Sequence, residues 1–165
     1  MPTTSYAIAL GSNRRHGRHG GPRGVLRAAI GALEALGTID TVSAIRATPA
    51  LGPAGRSFAN AAALLATDLA PDELLVALKE IERDFGRRGG KRWGPRVLDL
   101  DIILWSGGFW GGPGPTIPHP EMRRRSFVLD PLAEIAPGWR DPVSGGTIRQ
   151  LRSRLGKAAP VDRAP

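Results

Sequence analysis

The sequence predicts an α+β fold of the ferredoxin-like type, in the order β-α-β-β-α-β, with a mainly antiparallel sheet and helices on one face. Three observations predict it. Short apolar runs such as YAIAL (residues 6–10) and LDLDIIL (98–104) have the length and bounding turn signals of strands. Two longer stretches, 22–36 and 71–85, repeat apolar residues at i, i+3 and i+4, the spacing of an amphipathic helix. Runs of the two kinds alternate along the chain in the split βαβ order.

Size and composition agree. The 165 residues suit one domain, placed at 1–155, and 156–165 are expected to be a disordered tail. Apolar residues make up 41%, enough for one core. With no cysteine there is no disulfide, no thiol nucleophile and no cysteine metal site, which fits a cytoplasmic location. The N-terminus has no basic start followed by a long apolar run, so no signal peptide is expected. No apolar run approaches the roughly 20 residues of a membrane helix, and no membrane partner is expected. A net charge of +8 favours polyanionic partners.

Tyr6–Leu10 reads as the first strand, closed by a turn at Gly11-Ser12-Asn13. The basic, Gly-rich loop from Arg14 to Gly24 carries two histidines and reads as solvated, with metal binding the alternative. From Pro22 the stripe Val25, Leu26, Ala29, Ile30, Leu33 and Leu36 marks a helix, with Gly37 as its C-cap. Ile39–Thr48 is a β-branched strand and Thr48–Gly55 a loop stiffened by prolines. FANAAALLAT, 58–67, is apolar enough for strand or helix, and its length favours a strand. Pro71 opens the second helix, Asp72 and Glu73 complement its N-terminus, Leu74, Leu75, Leu78, Ile81 and Phe85 form its buried stripe, and Gly86 ends it. Glu82 borders that stripe and can contact ligand or pair with Arg87. Residues 106–115 are too rich in Gly and Pro for regular structure. The stiff segment Thr116–Met122 displays His119, Pro131–Ile135 reads as a short helical turn, and Thr147–Leu155 as a basic helix.

Chemistry concentrates in RRGGKRWGPRVLDLDIIL, 87–104, where a basic Gly-rich loop runs into a strand. Alternation puts Asp99 and Asp101 on one face and Leu98, Leu100, Ile102 and Leu104 on the other. Two like charges side by side raise the cost of ionising each other. A divalent cation relieves that cost, and magnesium typically takes one or two carboxylates beside phosphate oxygens. Arg87, Arg88, Lys91, Arg92 and Arg96 suit the same phosphates. The alternative is an exposed acidic face neutralised by those arginines. The loop is not a P-loop: Phe85 stands at the first glycine position and Arg92 follows Gly90-Lys91. No GxGxxG follows a strand, and no nucleophile lies at informative spacing from a base. What remains is phosphate transfer by positioning and charge stabilisation.

The chain resembles the 6-hydroxymethyl-7,8-dihydropterin pyrophosphokinase family from Ala7 to about Leu151. The most specific likeness is Arg92-Trp93-Gly94-Pro95-Arg96 followed by Asp99-Leu100-Asp101. Ala9-Leu10-Gly11-Ser12-Asn13, Thr48-Pro49, Phe58-Ala59-Asn60-Ala61, Ile117-Pro118-His119-Pro120 and Pro131 to Pro137 support it. The resemblance implies transfer of pyrophosphate from ATP to the pterin hydroxymethyl group, with AMP released, in folate biosynthesis. It implies two Mg2+ ions at Asp99 and Asp101, Arg87 and Arg96 on the transferring group, and Trp93 in a loop over the nucleotide. It places Glu82, Arg96, Ile102, Thr116, His119 and Arg125 at ATP. It sandwiches the pterin between Phe58 and Phe127, read at its edge by Asn60 and by Thr48, Pro49 and Leu51. Without the resemblance, Phe58 and Phe127 serve equally as core. The partners implied are ATP and the dihydropterin, with no nucleic acid, and a monomer is expected. Gly89 and Gly114 stand where the family carries arginines. Two alternatives follow: a degenerate relative that binds pterin and ATP without turnover, and a basic nucleic-acid-binding module. The second lacks the aromatic run of an RRM and has no use for two aspartates facing a polyanion.

Overall fold

The computed structural model describes residues 2–13, 16–48, 57–86 and 97–157. Its central strand β1 (Thr4–Ser12) pairs on one side with the long strand β4 (Phe58–Thr67) and on the other with β5 (Asp99–Trp105). Beyond β4 lie β2 (Thr38–Val42) and the short β3 (Arg46–Thr48). Every pairing is antiparallel, in the order β2-β4-β1-β5 with β3 beside β4. Taking β2 and β3 as one bent strand, this is the expected ferredoxin-like arrangement.

The strand expected over Ile39–Thr48 is therefore two strands, broken at Ser43–Ile45. The turn expected at Gly11-Ser12 is not there either. Both residues continue β1, because Gly11 pairs with Asn60 and Asp99, and Ser12 with Ala59. A ladder partner on each side outweighs the turn preference of the pair.

Helices α1 (Pro22–Leu33) and α2 (Pro71–Gly86) pack on one face of the sheet. Val25, Leu26, Ala29 and Leu33 of α1 and Leu74, Leu78 and Phe85 of α2 are buried against Tyr6, Ile8, Leu10 and Leu100. Each such aliphatic side chain stabilises the fold by about 1.5–3 kcal/mol. α1 stops at Leu33 with Glu34 as its C-cap, so Gly37 is no cap. Its reason is proximity: a Cβ there would lie 2.1 Å from the carbonyl oxygen of Ala66.

The other face is not left open along its whole length. Helices α3 (Ser126–Ile135) and α4 (Ile148–Lys157) bury Val128, Leu129, Leu132, Ile148 and Leu151 against Ala7, Ala62, Ile103 and Leu104. α3 starts five residues before the helical turn expected at Pro131. The proline sits inside it, and the apolar face of the helix outweighs the backbone hydrogen bond that a proline removes. Gly156, expected in the tail, is helical, and 158–165 lie outside the described residues. Leu104 also departs from the expected alternation. Pairing slips by one residue between Ala7–Leu104 and Ile8–Ile102. Ile103 is the extra residue, and Leu104 turns to the α3 side while Leu98, Leu100 and Ile102 keep the α1–α2 side. Among the described residues no helix is long and apolar enough to cross a membrane.

Candidate active site

α3 covers the sheet face only toward Ala7 and Ala62. Across β4, β1 and β5, Asn60, Gly11 and Asp99 form one row beyond it, and Ala62, Ala9 and Asp101 the row at its margin. Residues two apart on a strand share a face, so Phe58 and Asn60 stand together on β4, and Asp99 and Asp101 together on β5, as expected. Adjacent strands lie about 4.8 Å apart, which puts the Asn60 and Asp99 backbones about 10 Å from each other. Between them Gly11 and Ala9 make a low floor. A Cβ at Gly11 would come within 3.2 Å of Asn60 Oδ1, so the glycine keeps the amide's place clear. The sequence reading missed this role, although a glycine inside an apolar strand is its usual signal.

Asp99 is exposed and Asp101 half-buried. Two carboxylates on one strand face are hard oxygen donors, suited to magnesium. Among the described residues no group of three or more His, Asp or Glu side chains could hold a metal ion. Magnesium held by two carboxylates usually completes its shell from water and substrate oxygens.

Glu82 holds this strand from the edge of the sheet. Its side chain is 8% exposed, and it accepts the Leu100 N–H at 2.7 Å and Lys79 Nζ at 3.1 Å. The carboxylate thus braces the backbone between the two aspartates. The pairing with Arg87 considered for it falls on a residue outside the described ones. Ile102 turns its side chain away from the aspartates and is 4% exposed in the core.

The segment 116–125 runs alongside β5. Trp110 and Ile117 exchange backbone hydrogen bonds, and the His119 N–H donates to the Ile103 carbonyl at 2.9 Å. Thr116 is exposed and lines a cleft of about 400 Å³ with Phe109, Trp110 and Pro118. His119 Nδ1 accepts the Glu121 N–H at 3.1 Å, so in the neutral ring the proton sits on Nε2. Burial pushes the His119 pKa down; Asp101 opposes that shift, Arg125 adds to it, and Glu121 opposes it. The ring is therefore a neutral Nε2–H donor at neutral pH, in one electrostatic neighbourhood with Asp101 and Arg125. Arg125 also lies over the Phe127 ring, 5.7 Å from its centroid. Phe58 and Phe127 are both half-buried, and Phe127 packs against the α3–α4 core.

The structure therefore brings Asp99, Asp101, Asn60 and Phe58 onto one sheet face, with His119 in the electrostatic reach of both Asp101 and Arg125. Thr48 lies at the end of β3, paired with Phe58. Pro49, Leu51, Arg87, Trp93 and Arg96 lie outside the described residues, as do Arg88, Gly89 and Lys91.

Comparison with known proteins adds an independent line. A family model described as 7,8-dihydro-6-hydroxymethylpterin-pyrophosphokinase matches residues 7–137. A protein of Pseudomonas aeruginosa named 2-amino-4-hydroxy-6-hydroxymethyldihydropteridine pyrophosphokinase is 44% identical over 138 residues, covering 82% of both chains. A Synechocystis protein of the same name is 47% identical over 116 residues, covering 70% of this chain and 60% of that one. Among solved structures, Plasmodium falciparum HPPK-DHPS superposes with a TM-score of 0.70 at 16% identity, covering 93% of this chain and 41% of that one. That likeness concerns the fold, and this chain spans less than half of that protein.

Proposed function

The chain belongs to the 7,8-dihydro-6-hydroxymethylpterin-pyrophosphokinase family, a family of folate-synthesis enzymes, and we propose that it transfers pyrophosphate from ATP to 6-hydroxymethyl-7,8-dihydropterin. The observation that carries this reading is the shared sheet face. Asn60 stands two strands from Asp99, with Gly11 between them, so a flat ring and a charged triphosphate can lie side by side on one floor. The hydroxymethyl oxygen attacks the β-phosphorus of ATP. The bond from that phosphorus to the oxygen bridging it to the α-phosphate breaks, AMP leaves, and the hydroxyl proton is lost to solvent or phosphate. No covalent enzyme intermediate is needed, in keeping with a chain that has no cysteine.

Asn60 can offer both donor and acceptor to a pterin edge, and Phe58 and Phe127 can offer flat faces to its ring. The backbone of Thr48, Pro49 and Leu51 would read the same edge. Asp99 and Asp101 would hold two Mg2+ ions, which when bound neutralise the triphosphate and align it. Arg87 and Arg96 would stabilise charge on the transferring group, and Trp93 would close over the nucleotide. His119 Nε2–H and Arg125 would donate to phosphate oxygens, with Thr116 nearby and Glu82 holding β5 in place. We take the enzyme to act as a cytoplasmic monomer.

Product analysis tests the reaction. ATP and magnesium, with and without the dihydropterin, should give AMP only when pterin is present, with the pyrophosphorylated pterin formed in equal amount. ADP as product would mean a different transfer, and no turnover despite tight binding of both ligands would mean a relative that has lost catalysis. His119→Ala tests the phosphate contact. It should raise the KM for ATP about tenfold, the worth of one hydrogen bond to a charged group, and leave the pterin KM unchanged. An unchanged ATP KM would remove His119 from the nucleotide site.

A further inference from the structure

From the geometry of β2 and β3 we infer that Ser43 and Glu134 are positioning residues for the pterin slot; the inference rests on the reading proposed above. Val42 pairs with Ala63, and Arg46 with Asn60, so the register advances by one residue across Ser43–Ile45. A one-residue slip turns every later side chain to the opposite face of a sheet. Without this bulge Arg46 would face the α1–α2 core, and the strand would arrive at Phe58 in the wrong register. With it, Arg46 stands opposite Asn60 and Thr48 opposite Phe58.

Two side chains hold the bulge. Ser43 is 5% exposed. Its N–H donates to the Ala62 carbonyl at 2.9 Å, the Ala62 N–H donates to Ser43 Oγ at 2.9 Å, and the Ser43 hydroxyl donates to the Ala44 carbonyl at 2.9 Å. The hydroxyl thus replaces a backbone group within the ladder. The next N–H, that of Ala44, donates to Glu134 Oε2 at 2.8 Å, while Arg46 Nη2 donates to Glu134 Oε1 at 3.0 Å. Glu134 belongs to α3, the helix that carries Phe127. One carboxylate therefore ties β3 to α3, the two walls from which Thr48 and Phe127 would meet the pterin. An exposed ion pair alone contributes little. Its importance here is that the same carboxylate also satisfies a backbone N–H at the bulge.

The test compares steady-state kinetics of the wild type, Ser43→Ala and Glu134→Gln. Each variant should raise the KM for the dihydropterin about tenfold, roughly one charge-assisted or buried hydrogen bond, and move the KM for ATP less than about twofold. Glu134→Asp should not restore the wild-type value, because the shorter side chain cannot span both partners. Ser43→Ala lies in the sheet and can fail to fold. Glu134→Gln changes a half-exposed side chain and keeps the question answerable. Lower melting temperature with both KM values unchanged would make the pair merely structural and overturn the inference. Equal rises in both KM values would overturn it as well. A wild type without pterin-dependent AMP would instead overturn the underlying reading, and the inference with it.

Discussion

Asp101→Ala is expected to lower turnover about a thousandfold or more, the scale on which removing one strong electrostatic contact slows an enzyme. The protein should stay folded. Asp101 projects from β5 onto the half of the sheet face that α3 leaves uncovered, and its backbone bonds to Ala9 of β1 survive truncation. Removing one of two like charges also relieves their repulsion. The melting temperature should then shift by no more than about one or two degrees, as for substitutions outside the core. Asp101→Asn keeps the shape and removes the charge, and should lose nearly as much activity. A readout independent of turnover comes from His119. Asp101 holds the pKa of that ring up against burial, so its loss should move the His119 titration further down in an NMR experiment. Near-normal turnover in Asp101→Ala would refute the assignment of the acidic pair.

The acidic pair was legible in the sequence because it depends on alternation alone, and alternation holds wherever a strand is regular. The two helices on the first face were legible for the same kind of reason: Leu74, Leu78 and Phe85 repeat at a helical period. What was not legible depends on partners distant in sequence. Gly11 and Ser12 carry strong turn preferences, yet β4 and β5 flank them and keep them in the ladder. The extra residues at Ile103 and at Ser43–Ile45 change which face later side chains occupy, and no local pattern announces them. α3 was shortened because Pro131 reads as a start, whereas its apolar stripe against Ala62 and Leu104 sustains a helix around the proline. The use of Glu82 as a brace on Leu100 requires knowing that β5 is an edge strand. The resemblance to a known family supplied roles for Asn60, Thr116 and Phe127 that spacing alone does not.

The largest effect on stability is expected from Arg123→Ala. Asp141 is fully buried in the connection between α3 and α4, and Arg123 donates to both of its oxygens, at 2.6 and 2.8 Å. Ser144 Oγ and the Val143 N–H complete its partners. Burial by itself would raise the carboxyl pKa, but these donors outweigh it and bring the pKa down to about 2. The partners are unequal. Arg123 is about a third exposed and can turn to water when Asp141 is removed, whereas Asp141 without Arg123 stays buried with its charge poorly compensated. Arg123→Ala should therefore cost about 3–5 kcal/mol, the range for breaking a buried pair, and lower the melting temperature by about 6–20 °C. Asp141→Ala should cost less. The pH dependence separates the pair from mere packing. A carboxyl held below its unfolded value contributes stability that is full above about pH 4 and fades as the pH falls toward about 2. In the wild type that fade should amount to about 2–3 kcal/mol. In Arg123→Ala the largest downward influence is gone while burial still pushes the Asp141 pKa up, so the fade over that window should shrink markedly. Urea titrations at pH 7 and about pH 2 would decide. Equal acid sensitivity in wild type and variant would show that the Arg123–Asp141 pair does not set it.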